Sequence, residues 1–82
     1  MLYEKSKIDT AFAIAEKMYV QSEKLNYQRG KAQSMYIMGR KYYGEGNYPK
    51  ATDYLGKSLK VSEQMHYNDY IALNSNSLGN IY

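Results

Sequence analysis

Ser22-Glu23-Lys24-Leu25-Asn26-Tyr27 returns forty residues later as Ser62-Glu63-Gln64-Met65-His66-Tyr67, and this echo decides the fold. The same register pairs Ala11 with Ala51, Lys17 with Lys57, Ala32 with Ala72, Gly39 with Gly79 and Tyr42 with Tyr82. A fixed internal period of this size is the signature of stacked repeats, each a small unit that cannot cover its own apolar face. Such arrays present surfaces, and one or two units rarely enclose a catalytic pocket, so the register points to binding.

Working outward from the echo, the strongest punctuation is Gly44-Glu45-Gly46-Asn47, followed by Pro49. Glycines end one helix, Asn47 caps the next, and Pro49 sits in its first turn, where a missing N–H is harmless. A weaker break falls at Asn26–Arg29 and its counterpart at His66–Asp69. Between the breaks, apolar and small residues recur at helical spacing, as in Ala11, Ile14, Ala15, Met18 and in Ala51, Leu55, Ser58, Leu59. The pattern predicts an all-α chain of four helices over about 5–25, 29–44, 48–65 and 69–82, stacked as antiparallel hairpins. Gly39, Gly79, Ala32, Ala51 and Ala72 are expected where helices approach closely, with Tyr42, Leu55 and Leu59 filling the wedge between pairs. Asn80-Ile81-Tyr82 matches Arg40-Lys41-Tyr42 in the middle of a unit. The expected organisation is therefore a fragment of a longer array: residues 5–27 as the second helix of one repeat, 29–67 as a complete repeat, and 69–82 as the first helix of another.

Composition narrows the function. The 82 residues allow one small domain, and without Cys neither disulfides nor thiolate metal sites arise. Eleven Tyr and no Trp suit surfaces that are half packed and half wet. Eleven basic residues stand against eight acidic ones, interleaved as in Glu4-Lys5, Glu16-Lys17 and Glu23-Lys24, so no basic block argues for nucleic acid. No apolar run approaches the roughly 20 residues that span a bilayer, and no secretory leader pattern is present; the compartment, cytoplasm or periplasm, stays open. His66 lacks a second His to share a metal, and at a helix end it suits the dipole better. There is no nucleophile triad, phosphate loop or carboxylate pair, so neither an enzyme nor a cofactor is expected.

The run Met38-Gly39-Arg40-Lys41-Tyr42-Tyr43, then Gly46-Asn47-Tyr48-Pro49-Lys50-Ala51, Tyr54-Leu55 and Lys57-Ser58-Leu59 resembles a tetratricopeptide (TPR) repeat. Met38 stands for the usual Leu, Ser58 for the usual Ala, and Glu63 where a proline often closes the motif. The long period resembles the members with about 40 residues per repeat rather than 34. Gly-Asn-Tyr-x-Lys-Ala and Leu-Gly-Asn-Ile-Tyr are similar to TPR arrays of bacterial sensor and regulatory proteins, including histidine kinases. The resemblance implies that the first helix of each pair lines a concave peptide groove. Its walls would be Gln33, Tyr36, Ile37, Arg40 and Tyr43 on one helix and Leu73, Asn76, Ser77 and Asn80 on the next. Residues four apart share a helix face, so Tyr36/Arg40 and Asn76/Asn80 make adjacent polar rows. An Asn amide can pair with a peptide backbone and Arg40 with a carboxylate. The Lys and Asn pair that clamps chaperone C-termini in one TPR subclass is not reproduced, since Tyr36 and Arg40 hold those slots. The expected partner is a protein or peptide. A spacer that dimerises through uncapped helix ends and, less favoured, a nucleic-acid-binding segment are the alternatives.

Overall fold

In a computed structural model, which describes residues 2–81 and side chains at residues 10 and 12–81, the helices are α1 (Leu2–Lys24), α2 (Gln28–Gly44), α3 (Tyr48–Met65) and α4 (Asn68–Ile81). The chain is all-helical among the described residues, and the predicted bounds fall within three residues of these. Tyr82, paired with Tyr42 by the repeat, lies outside them.

The three turns are one structure used three times. Asn26, Gly46 and His66 each adopt positive φ, at 54°, 78° and 59°. At each turn the left-handed residue donates its N–H three residues back, as Gly46 does to Tyr43 O at 3.0 Å. The following residue donates five back: Tyr27 to Ser22 O at 2.7 Å, Asn47 to Tyr42 O at 2.9 Å and Tyr67 to Ser62 O at 2.8 Å. This is the Schellman arrangement, which answers the last carbonyls of a helix. Asn47 Oδ1 then accepts the Lys50 N–H at 3.4 Å to start α3, with Pro49 in its first turn. His66 is the left-handed C-cap of α3.

Turns this short fold successive helices into hairpins. α2 packs between α1 and α3, and α4 packs on α3 while touching α2. Ala15, Met35 and Met38 form the buried centre, and Phe12, Tyr19, Ile37, Tyr54 and Val61 close around it. Tyr42 stacks on Tyr54 with centroids 5.6 Å apart and meets Phe12 edge-on at 5.7 Å, so it fills the expected wedge. Ala32, Ala51 and Leu55 are wholly buried. Other expectations need correction. Ala72 and Gly79 are exposed, with nothing near a Cβ at Gly79, because among the described residues no helix covers α4 as α3 covers α2. Ile14 is 55% exposed for the same reason on α1, and the Ala11 side chain lies outside those described.

Apolar spacing gave no hint of a polar core. Ser22, Ser34, Ser58, Ser62 and Asn74 are all buried. Ser58 is the hub: its hydroxyl donates to Ala32 O at 2.7 Å and accepts from Asn74 Nδ2 at 2.9 Å, so it ties α3 to both α2 and α4. Asn74 also donates to Tyr70 O at 2.8 Å, and Ser62 Oγ donates to Ser58 O at 2.7 Å. An alanine at position 58 would remove that link. Asn74→Ala is expected to cost about 1–3 kcal/mol in urea denaturation, the range for losing buried hydrogen bonds. Adding Ser58→Ala should cost less in that background than in the wild type. Strictly additive losses would show that the Ser58–Asn74 contact contributes nothing.

Candidate functional site

Where α2 and α4 run side by side, residues at their N-terminal ends bind each other. Arg29 and Asp69 occupy the same repeat position with opposite charge, and they form an ion pair. The Arg29 guanidinium also lies 5.1 Å from the ring centroids of both Tyr67 and Tyr70. One turn on, Tyr70 meets Tyr36 edge-on at 6.1 Å. These contacts bridge α2 and α4 at one end.

The hydrogen bond from Arg29 holds the Asp69 carboxyl below the usual carboxylate range and raises Arg29 in turn. A carboxyl depressed on folding contributes stability above its unfolded pKa of about 3.9, and that contribution is lost as pH falls through the lower folded value. Acid unfolding of Asp69→Asn should therefore show a flatter pH dependence below about pH 4 than the wild type. Identical urea midpoints against pH for the two proteins would show that the pair is idle.

Beyond this clasp α2 and α4 border a groove of about 230 Å³. Tyr36, Arg40 and Tyr43 line one side and Leu73, Asn76, Ser77 and Asn80 the other, so seven of the nine predicted residues come together. Ile37 does not: one residue round the helix from Tyr36, it turns toward the Ala15–Met35–Met38 centre and packs there. Gln33 is exposed and lies a turn short of the groove's end on α2. The residue missed is Leu55, the buried floor, contributed by α3 from below. Its stripe with Ala51, Ser58 and Ser62 is legible as helical spacing, and its expected place in the wedge between pairs agrees with a position beneath α2 and α4.

Arg40 is the one charged residue lining the groove. Its Nη1 donates to the Tyr36 hydroxyl at 3.0 Å, and its guanidinium lies 5.7 Å from that ring. No carboxylate answers it among the described residues. The groove thus offers a fixed cation, amide donors and acceptors from two Asn, and an apolar floor. No group of three or more His, Cys, Asp or Glu placed to hold a metal occurs among the described residues, and no described helix is long and apolar enough to cross a membrane. Comparison of the chain with protein-family models, with curated proteins and with solved structures yields no match in any of the three.

Proposed function

We propose that this chain is a protein-interaction module of the tetratricopeptide type that holds a peptide in the α2–α4 groove. The supporting observation is the unanswered Arg40 guanidinium above the buried Leu55, flanked by the Asn76/Asn80 row. Arg40 is placed to take a carboxylate, the two amides to pair with an extended backbone, and the exposed Leu73 to seat an apolar side chain. The resemblance to TPR arrays supplies the wider setting, the sensory or regulatory part of a bacterial protein.

The test begins with a random-peptide display library panned on the chain. Selected peptides are then titrated calorimetrically against a variant with Ala at Tyr36, Arg40, Asn76 and Asn80. Affinity is expected to fall at least tenfold, since several polar contacts of about 1 kcal/mol each are lost. Unchanged binding by a variant of unchanged helicity would overturn the reading. The spacer or self-association alternative draws on one observation, the exposure of Ala72 and Gly79, whose counterparts Ala32 and Gly39 are buried. A concentration-independent monomer in sedimentation would remove it.

A further inference from the structure

A second crevice opens between α1 and α3, with Met35 and Met38 of α2 among its lining residues and a volume of about 350 Å³. These methionines are 5% and 4% exposed, so they form a buried apolar floor beneath an open crevice. Tyr19 from α1 and Tyr54 from α3 contribute half-buried rings that pack against the same core. Glu16 and Glu23 also line it from α1, seven residues and thus two turns apart, about 10 Å along the axis.

The charges here are unbalanced. Lys57 lines the crevice from α3, but it is paired with Asp53 at 3.3 Å. Glu16 and Glu23 have no cation partner among the described residues. Glu23 accepts only the Tyr19 hydroxyl, at 3.3 Å. The α2–α4 groove carries an unanswered cation, and this crevice carries two unanswered carboxylates. Methionine lining adapts its shape to varied apolar side chains, and a polar rim round an apolar centre is the anatomy of a protein interface.

From this charge pattern we infer that the α1–α3 crevice is a second docking site, which takes a basic segment of a partner protein. Apolar side chains rest against Tyr19, Val20 and Tyr54, above the Met35–Met38 floor, between two cations that face Glu16 and Glu23. In a polyproline-II segment, with three residues per turn, side chains three apart share a face and lie roughly 9 Å apart, close to the separation of the carboxylates. A capped hexapeptide with the core Arg-Leu-Leu-Arg is a suitable probe, with a Glu-Leu-Leu-Glu peptide as its control.

The experiment follows the methionine methyl resonances of the whole chain by NMR during titration. The basic peptide should shift the Met35 and Met38 methyls saturably, and the acidic peptide should leave them in place. Glu16→Lys/Glu23→Lys should weaken binding at least tenfold, and the milder Glu16→Gln/Glu23→Gln at least threefold. Arg40→Ala, which disables the other groove, should leave this affinity within twofold, so failure of one site is read separately from failure of the other. Methyls unmoved by millimolar basic peptide, or equal affinity in the charge-reversed variant, would overturn the inference.

Discussion

Gly39→Ala is expected to destabilise the chain, although alanine is the better helix former. A Cβ at Gly39 would stand 2.7 Å from Leu55 Cγ, 2.9 Å from its Cδ2 and 3.2 Å from the α3 backbone nitrogen. Leu55 is wholly buried, and its Cγ is not a free end that can swing aside. The substitution must therefore push α3 away from α2 along the seam that organises the fold. Overpacking of this kind costs about 1–3 kcal/mol, against a gain of about 1 kcal/mol from replacing a mid-helix glycine. The net loss of up to about 2 kcal/mol would appear as a melting temperature lower by about 4–8 °C per kcal/mol. Gly79→Ala is the internal control. It occupies the same repeat position, but nothing lies within 4 Å of its Cβ, so only the propensity gain remains. Melts followed by circular dichroism should move in opposite directions for the two substitutions. Equal shifts would mean that the α2–α3 contact at Gly39 is looser than it is here.

That pair of glycines also shows what the sequence can convey and what it cannot. The forty-residue register and the turn residues locate all four helices, because caps and apolar spacing are local signals that chemistry enforces directly. Asn26 and His66 are weaker marks than Gly46, yet both types tolerate left-handed backbone, and both take it. Burial is a different matter. Equivalent positions such as Ala32 and Ala72 look alike in sequence, and only the presence of a covering helix distinguishes them. The groove is largely legible because residues spaced by three and four share a face, which places Tyr36 with Arg40 and Asn76 with Asn80. Ile37 misleads because its neighbours face the groove while it points a quarter turn away, toward the core. Ser58 falls in the apolar stripe of α3, but its bond to Asn74 leaves no periodic signal, since an asparagine in a helix reads as surface until its partner is seen.

Leu55→Ala is expected to have the largest effect of any single truncation, about 2–5 kcal/mol. Leu55 is the largest wholly buried side chain among the described residues, and it serves two interfaces: the seam against Gly39 and the floor of the α2–α4 groove. A small domain has only about 5–15 kcal/mol of stability in all, so urea denaturation should show a shallow midpoint or no folded baseline. The pairing with Gly39 gives a sharper result than the single loss. Gly39→Ala inserts a methyl where Leu55 leaves no room, and Leu55→Ala empties that same space. The double variant should therefore be more stable than the sum of its parts predicts, by a coupling of about 0.5–3 kcal/mol. It is even expected to match or exceed Leu55→Ala alone, because the added methyl fills part of the cavity and the helix gains propensity. Additive losses would place the two side chains in separate environments and break the connection between seam and groove. If the coupling holds, the groove floor and the α2–α3 seam are one packing unit.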